Sequence, residues 1–260
     1  MLRGKTALIT GSIGGLGYAI ADAFAQQQAN IILHGLEPLE QILGASKQLQ
    51  TAYGVSVMHS QANLTNVSEI EALINQAQVH FGGVDILINN AVIRNFAAID
   101  TLDATGWDES IAVNLSAAFH TSRLAVPTMK QKQWGRIINM SSVYGATATA
   151  NRVAYITTKT ALIGLTRSTA MDVATHGITC NALCPGTVPT PPIVERIADN
   201  AKKSGITIEQ AEHNYISSRH PTGRFVAMSS VASFAVFLCS DAGKDITGAV
   251  LPIDGGWTVE

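Results

Sequence analysis

The amino-acid sequence predicts an α/β fold of the doubly wound type, in which a parallel sheet of seven strands carries helices on both faces. Short apolar runs rich in β-branched residues alternate with longer stretches whose apolar residues recur at helical spacing. Runs that are apolar throughout are typical of strands buried on both faces of a parallel sheet. The alternation continues along all 260 residues without a linker or an internal repeat, so we predict one domain over residues 1–260.

Seven runs are predicted to be strands, with helical stretches between them. They lie at residues 5–10, 30–35, 55–61, 84–89, 136–141, 178–183 and 249–253. After the first strand, Leu16, Ile20 and Phe24 recur at helical spacing, and Ile70 and Ile74 do so after the third. These helices therefore have an apolar face with which to cover the sheet.

One segment departs from this alternation. Four prolines stand between Pro185 and Pro192, a polar helical stretch follows them, and the last helix is predicted to begin near Met228. In an open parallel sheet, a long excursion after the carboxyl end of a strand lies over the ligand crevice. We therefore predict a substrate lid at about residues 187–222, with a plain surface insertion as the alternative.

Composition and charge exclude several classes of protein. The net charge is −2 and 14% of the residues are charged, so we expect neither a nucleic-acid partner nor an acidic disordered tail. The three cysteines, Cys180, Cys184 and Cys239, are too few for a disulfide framework and lack the spacing of a zinc site. The first apolar run ends at Thr10 and none approaches 18 residues, so we predict a cytoplasmic protein without signal peptide, membrane span or metal.

A glycine-rich turn follows the first strand and leads into the first helix. It contains Gly11, Gly15 and Gly17. Glycines in such a turn let the backbone approach a pyrophosphate, whose charge is stabilised by the N–H groups and the dipole of the helix N-terminus. The turn favours a dinucleotide site of the Rossmann type, and a plain tight turn is the alternative.

A tyrosine and a lysine in a helical stretch form a second signal. Tyr155 and Lys159 are four residues apart, so their side chains share one helix face, as a tyrosine and its activating lysine require. Ser142 lies at the end of the fifth strand, thirteen residues before Tyr155. Because an open parallel sheet binds its ligand at the carboxyl ends of its strands, the three features together are more specific than any one of them.

With these motifs in this order, the sequence resembles the short-chain dehydrogenase/reductase family over essentially its full length. The matching positions are Gly11, Gly15, Gly17, Asn89, Asn90, Ala91, Asn114, Ser142, Tyr155, Lys159, Pro185, Gly186, Thr190, Asp254, Gly255 and Gly256. Val92 departs from the family, which usually has glycine there. The resemblance implies a Rossmann fold, an NAD(P) cofactor and a redox reaction between an alcohol and a ketone.

The resemblance implies catalytic roles for four residues. Tyr155 would be the general acid or base for the substrate oxygen, while Lys159 would stabilise the phenolate and hold the ribose hydroxyls of the cofactor. Ser142 would orient the substrate oxygen, and Asn114 would hold a water molecule for a proton relay. For Ser142 and Asn114, a capping or turn role is the alternative.

The resemblance also implies a set of cofactor-binding residues. They are Gly11, Ile13, Gly15, Leu16, Gly17, Asn63, Leu64, Asn90, Ala91, Tyr155, Lys159, Pro185, Gly186, Val188 and Thr190. We predict NAD rather than NADP, because the second strand and the glycine turn lack the Lys or Arg that a 2′-phosphate needs, and Glu37 would repel that phosphate. The usual ribose-binding aspartate is also missing, so the backbone or Glu37 must take its place.

Within the family, the sequence is most similar to the D-3-hydroxybutyrate dehydrogenases, notably at residues 1–5, 134–139, 177–182, 184–186 and 254–257. The predicted substrate-binding residues are Arg94, Ser142, Tyr144, Arg152, Tyr155, Thr187 and Trp257. Those dehydrogenases have Gln, His, Lys and Trp where this chain has Arg94, Tyr144, Arg152 and Thr187, whereas Trp257 agrees. The two arginines in place of Gln and Lys indicate an acid that is longer, or more negatively charged, than hydroxybutyrate.

The sequence therefore predicts an NAD-dependent oxidoreductase that transfers a hydride between nicotinamide and a small hydroxy acid, whose carboxylate is held by Arg94 and Arg152. Alternatively, the arginines point to solvent or pair with acidic residues, namely Asp100, Asp103 or Glu195. A reductase of a neutral ketone, sugar or ketoacyl substrate is the second prediction. A catalytically silent nucleotide-binding regulator is the third, although it would not need an intact catalytic set. The resemblance also implies a homotetramer with residues 231–251 in an interface.

Overall fold

The structure is a computed structural model that describes residues 2–259. The two ends of the predicted domain, Met1 and Glu260, lie outside the described residues, and so does the first residue of the similar stretch 1–5. Seven parallel strands form one sheet in the order β3-β2-β1-β4-β5-β6-β7. Their bounds are β1 Thr6–Ile9, β2 Asn30–His34, β3 Val57–Ser60, β4 Ile86–Asn89, β5 Gly135–Met140, β6 Ile178–Pro185 and β7 Val250–Ile253. The predicted doubly wound fold is confirmed.

Nine helices accompany the strands within the described residues. Their bounds are α1 Gly15–Gln26, α2 Leu39–Tyr53, α3 Val67–Phe81, α4 Ala104–Ile111, α5 Ala117–Lys132, α6 Val153–Val173, α7 Pro191–Ser204, α8 Ile208–Ser217 and α9 Met228–Cys239. A π-helical turn, Ala112–Ser116, joins α4 to α5 without a break in the helix. No helix in residues 2–259 combines the length and apolar character needed to cross a membrane.

The core lies in two apolar layers, one on each face of the sheet. Strand side chains alternate between the faces, so Ala7 and Ile9 pack with α1, α2 and α9, whereas Leu8 packs with α3, α5 and α6. The side chains at the centre of both layers are buried. Most strand positions are apolar for this reason, and the strands could be predicted from the sequence.

The crevice of the fold lies between the ends of β1 and β4. These strands are neighbours in the sheet, but α1, which follows β1, packs on one face and α5, which follows β4, packs on the other. The loops that leave the two strands therefore diverge, as at the topological switch point of any doubly wound sheet. The same edge receives the ends of β5 and β6.

A buried polar network fixes the ends of β4 and β5. Asn89 Nδ2 donates to Asn139 Oδ1 at 2.8 Å, and Asn139 Nδ2 donates to Thr166 Oγ1 on α6 at 2.9 Å. Thr121 Oγ1 on α5 donates to Asn89 Oδ1 at 2.7 Å. Because a buried amide without partners is costly, these bonds hold two strands and two helices in one relative position below the crevice.

Residues 187–226 form an excursion from the carboxyl end of β6 that contains α7 and α8. Its base is closed by a hydrogen bond from Val226 N to Thr187 O at 2.9 Å. The helices pack on each other through their own small apolar cluster, whose buried members are Ile197, Ala201 and Ala211. The pair therefore has an interior of its own, apart from the two layers of the sheet.

Candidate active site

A cleft of about 640 Å³ opens at the carboxyl edge of the sheet and continues under α7 and α8. It collects most of the residues predicted from the sequence. Those that line it are Gly11, Gly15, Leu16, Gly17, Asn90, Ala91, Arg94, Ser142, Tyr144, Arg152, Tyr155, Lys159, Pro185, Gly186, Thr187, Val188, Thr190 and Trp257. The predicted cofactor, catalytic and substrate residues thus share one continuous cavity.

Four predicted residues do not line this cleft. Leu64 is buried against Ile70 and Ala117, and the side chain of Asn63 accepts hydrogen bonds from Thr65. The other two are Ile13, which packs against the core, and Asn114, which is buried. The structure therefore places these four beside or behind the cleft wall.

The glycine turn has the shape of a phosphate cradle. Gly11 and Gly15 have φ of +63° and +56°, a region that favours glycine. A Cβ at Gly17 would lie 2.0 Å from the carbonyl oxygen of Gly11, so no other residue fits there. Asn90 Nδ2 holds the turn closed by donating to the carbonyls of Thr10 and Gly11 at 2.9 and 2.8 Å.

Two observations show that this cradle fits a dinucleotide. Gly14, the N-cap of α1, provides no side-chain cap, and the first turn of α1 contains no acidic residue, so the N–H groups of the helix are free to bind an anion. The hydroxyl of Thr190 is buried and has no hydrogen-bond partner among the described residues. A buried hydroxyl on the cleft wall is expected to bond to whatever fills the cleft.

His34 connects the glycine turn to the neighbouring strand ends. Gly11 N donates to His34 Nδ1 at 3.1 Å, and His34 Nε2 lies 2.9 Å from the carbonyl oxygen of Ala62. Both contacts are satisfied by the neutral ring with its hydrogen on Nε2. Burial lowers the pKa of His34 and so favours this neutral form.

Glu37 stands where the cleft passes the end of β2. Its carboxylate folds back over Gly35, because a Cβ at Gly35 would lie 2.1 Å from Glu37 Oε2. Its backbone carbonyl accepts a hydrogen bond from Gln61 Nε2 at 3.0 Å. Among the described residues that line the cleft, Glu37 is the one carboxylate.

Ser142, Tyr155 and Lys159 meet at the centre of the cleft. Ser142 follows β5, and its Oγ accepts a hydrogen bond from Tyr144 N at 3.2 Å. Tyr155 and Lys159 stand one helical turn apart on α6, with Lys159 Nζ 5.7 Å from the centroid of the Tyr155 ring. Ser141 Oγ donates to the backbone carbonyl of Lys159 at 2.8 Å and so ties α6 to the end of β5.

Lys159 is buried although none of the described residues forms an ion pair with it. Its Nζ donates to the carbonyl oxygen of Met140 at 2.6 Å. Burial, and to a smaller extent the positive charge of Arg94, lowers the pKa of Lys159 to about 7. The ammonium group therefore titrates near neutral pH, and its charge acts on Tyr155 through a poorly solvated space.

Asn114 lies in the π-helical turn between α4 and α5. Its Oδ1 accepts from Ile93 N at 2.8 Å, and its Nδ2 donates to Ile93 O at 3.0 Å. The same Nδ2 lies 3.4 Å from Thr158 Oγ1 on α6. The amide therefore holds the loop that carries Arg94, and π-helical turns often mark functional sites.

Aromatic rings form the wall around Tyr155. Phe96 and Tyr144 make edge contacts with its ring, at centroid distances of 5.7 and 6.3 Å. Tyr144 also contacts Trp257 at 5.6 Å, and Trp257 contacts His220 at 5.4 Å. These rings cover one side of the Tyr155 ring.

Arg152 is stacked between two of these rings. Its guanidinium carbon lies 4.1 Å from the centroid of Phe96 and 5.2 Å from that of Tyr144. Within residues 2–259 neither Arg94 nor Arg152 forms an ion pair or a side-chain hydrogen bond. The pairing with Asp100, Asp103 or Glu195 considered above is not found there, and both guanidinium groups line the cleft.

Several residues at the cleft were not predicted from the sequence, among them Phe96, whose ring contacts that of Tyr155. Arg196, Tyr215 and Arg219 line the cleft from α7, α8 and the segment after α8. His220 is buried, and its Nε2 accepts from Thr187 N at 2.9 Å. These positions belong to none of the motifs considered, although Tyr215 and Arg219 share the spacing of Tyr155 and Lys159.

Comparison with known proteins identifies what this arrangement is similar to. A family model described as Enoyl-(Acyl carrier protein) reductase matches residues 11–258. The D-beta-hydroxybutyrate dehydrogenase of Cupriavidus necator is 44% identical over 260 residues, covering 100% of both chains. That of Rhizobium meliloti is 41% identical over 256 residues, covering 98% of this chain and 99% of its own. L-sorbose reductase from Gluconobacter frateurii, solved with NADPH and L-sorbose, has a TM-score of 0.95 at 28% identity and covers 100% of this chain and 98% of its own.

The geometry at His34 predicts how stability depends on pH. Because the pKa of His34 is lowered on folding, the unfolded chain binds more protons below about pH 6.5. The free energy of unfolding therefore falls as pH drops below about 6.5, by up to about 1.4 kcal/mol per pH unit for this one group. His34→Asn keeps an acceptor for Gly11 N and should flatten this part of the profile.

The measurement is denaturant unfolding from pH 5 to 7.5 for the native protein, His34→Asn and His213→Asn. His213 is exposed on α8 and serves as the matched control, which should follow the native profile. Parallel profiles for the native protein and His34→Asn would show that protonation of His34 does not contribute to the loss of stability.

Proposed function

Because the chain belongs to the short-chain dehydrogenase/reductase family, we propose that it transfers a hydride between NAD and a small hydroxy acid or the corresponding keto acid. The family and its dehydrogenase relatives establish an oxidoreductase that acts on hydroxyl or keto groups, and give no support to a silent regulator. The observation that carries the finer proposal is the presence of two unpaired guanidinium groups, on Arg94 and Arg152, in the cleft that contains Tyr155.

The proposed cofactor site is the part of the cleft nearest the glycine turn. The N–H groups at the start of α1 would bind the pyrophosphate, and Lys159 and Thr190 would bind the nicotinamide end. When bound, the nicotinamide supplies or accepts the hydride. Glu37, at the end of β2, would face the adenosine ribose and disfavour a 2′-phosphate there.

Tyr155 is proposed to exchange the proton with the substrate oxygen. The ammonium group of Lys159, 5.7 Å from the centroid of the Tyr155 ring, would stabilise the phenolate form. Ser142 Oγ accepts from Tyr144 N, so its own hydrogen is left to donate to the substrate oxygen. The substrate oxygen would thus be held by two hydroxyl groups of fixed position.

Asn114 is proposed to position the loop that carries Arg94. Its amide is occupied by both backbone groups of Ile93, so it sets the loop that presents Arg94. The widened π-helical turn around Asn114 lies next to α6, and a water held there would connect Lys159 to solvent. This is the proton relay that the family resemblance implies.

A carboxylate between Arg94 and Arg152 would place the rest of a small substrate against Tyr155. Arg152 is held by its two aromatic neighbours, so little conformational entropy is lost when it binds an anion. Arg94 is more exposed and reaches the cleft from the loop after β4. A guanidinium group binds a carboxylate through two parallel hydrogen bonds, which would fix the orientation of the acid.

A second candidate is a reductase of a neutral ketone or sugar. The structural similarity to L-sorbose reductase, whose structure contains NADPH and L-sorbose, favours it. Neither a neutral substrate nor its ring hydroxyls would need two unpaired guanidinium groups, so the hydroxy acid is preferred.

For the whole molecule we propose a cytoplasmic homotetramer, with residues 231–251 in an interface and residues 187–222 as a substrate lid.

The role of Tyr155 can be tested by removing only its hydroxyl group. Tyr155→Phe should keep NADH affinity and lose turnover by about 10²–10⁴-fold, because the proton donor is gone while the ring still packs on Phe96. NADH binding and kcat are measured on the purified protein, after hydroxy acids and polyols have been screened for NAD reduction. Tyr53→Phe on α2 is the control, and retention of more than a tenth of native kcat by Tyr155→Phe would remove Tyr155 from the mechanism.

The proposed preference for NAD depends on Glu37. The ratio of kcat/KM for NADH to that for NADPH should exceed one in the native protein, and Glu37→Gln should raise kcat/KM for NADPH about fivefold, equivalent to about 1 kcal/mol of removed repulsion. Glu40→Gln, an exposed change on α2, should leave the ratio as it was. Equal or better kcat/KM with NADPH in the native protein would refute the proposal.

The carboxylate site predicts a charge-selective effect. Arg152→Met should raise KM for the best acid at least about tenfold, which is about 1.4 kcal/mol, with a smaller effect on an uncharged ketone. Arg167→Met, an exposed change on α6, is the control. An unchanged KM for the best substrate in the double variant of Arg94 and Arg152 would favour the neutral-substrate function.

A further inference from the structure

The helix pair over the cleft brings two more arginines to the same cavity. Arg196 projects from α7 and Arg219 follows α8, and both line the cleft together with Tyr215. The excursion that carries them is anchored at its base by bonds from Val226 and Thr187. The cavity therefore receives guanidinium groups from two separate parts of the fold, the sheet edge and the helix pair.

Tyr215 holds both of these arginines in place. Arg196 donates to the hydroxyl of Tyr215 and its guanidinium carbon lies 5.2 Å from the ring centroid. Arg219 stacks on the same ring at 4.2 Å and donates to the backbone carbonyl of Tyr215 at 2.6 Å. Stacking leaves most of the guanidinium N–H groups unused, so both arginines are oriented before any ligand binds.

No carboxylate balances these charges in the part of the chain that the structure describes. Neither Arg196 nor Arg219 forms an ion pair there, and the buried Nε of Arg196 has no hydrogen-bond partner. Glu37 is the one carboxylate of the described cleft lining, and it lies at the opposite, cofactor end. Like charges that line one cavity repel one another, and an anion bound between them would offset this repulsion.

The position of Arg196 and Arg219 favours the substrate over the cofactor pyrophosphate. The start of α7 faces the glycine turn, since Pro191 lies 3.9 Å from a Cβ placed on Gly15. Arg196 is five residues after Pro191, which corresponds to about 7.5 Å along the axis of α7. Arg219 adjoins His220, whose ring contacts Trp257 on the aromatic wall around the substrate.

We propose that Arg196, Arg219 and Tyr215 form a second anion-binding site, and that the substrate is a dianion: a hydroxy or keto acid with a second carboxylate or a phosphate at its other end. The inference rests on the proposed function, in which Arg94 and Arg152 hold the first carboxylate. A dianion would bridge the sheet edge and the helix pair, whereas a monocarboxylate would contact only the sheet edge. Selectivity for the second charge would thus reside in the helix pair.

The test compares four acids that share one chain and differ only in their far end. Pentanoate ends in a methyl group, glutarate in a carboxylate, 4-phosphonobutyrate in a phosphonate and 4-aminobutyrate in an ammonium group. Their dissociation constants are measured by calorimetry on the full-length protein saturated with NAD, at constant ionic strength. Homologous acids with two and four methylene groups cover other lengths.

At one chain length or more, a dianion should bind at least about tenfold more tightly than the methyl-ended acid, and the ammonium-ended acid should bind more weakly. Arg196→Met and Arg219→Met should each reduce the ratio of dianion affinity to methyl-ended acid affinity severalfold and leave the affinity for pentanoate unchanged. Unchanged pentanoate binding also shows that the variants are folded. Arg224→Met, an exposed change in the same excursion that lies outside the cleft lining, should keep the ratio. The better of glutarate and the phosphonate identifies a dicarboxylate or a phosphorylated acid.

Three results would overturn the inference. The first is equal affinity for dianions and methyl-ended acids at every chain length. The second is tighter binding of the dianion that persists in both arginine variants. The third is a tenfold loss of NAD affinity in these variants, with the ratio of dianion affinity to methyl-ended acid affinity unchanged. The last would assign the two arginines to the cofactor. Failure of the proposed function is separate, because it would appear as pentanoate binding that does not weaken in Arg152→Met.

Discussion

An excess of positive charge in one cleft is the constraint on which the functional part of this structure depends. The cationic groups are Lys159, Arg94, Arg152, Arg196 and Arg219, and the one carboxylate of the described lining is Glu37. Lys159 is buried with only a carbonyl oxygen as partner, and burial lowers its pKa to about 7. Like charges gathered in one cleft repel one another. In the proposed function, a pyrophosphate and an acidic substrate would offset this repulsion.

The scaffold around this cleft is held by hydrogen-bonded buried side chains. Asn89 and Asn139 connect β4 and β5 and bond to helices on the same face. Asn114 fixes the loop after β4, and His34 fixes the turn after β1. Hydrogen bonds of this kind hold the backbone of the cleft wall, and with it the positions from which the cationic side chains extend, before a ligand binds.

Much of the fold and the centre of the site could be predicted from the sequence, because local chemistry determines them. Most strand positions are apolar since both faces of the sheet are covered, and the observed strands agree with the predicted ones within two residues at each end. Gly17 must be glycine because its backbone approaches Gly11, and that requirement is visible as a motif. Tyr155 and Lys159 could be predicted because their helical spacing occurs together with the glycine turn and with Ser142 at the end of a strand.

The sequence by itself determined the doubly wound sheet, the glycine turn and the position of the candidate catalytic residues along the chain. Only the tertiary structure decided that Arg196, Tyr215 and Arg219 face the same cleft as Arg94, that the amide of Asn114 is occupied by Ile93, and that His34 bonds to the glycine turn. The physical reason is that strand and helix patterns depend on neighbours along the chain. The direction of a long polar side chain depends instead on which distant element packs beside it, and no local pattern records that choice.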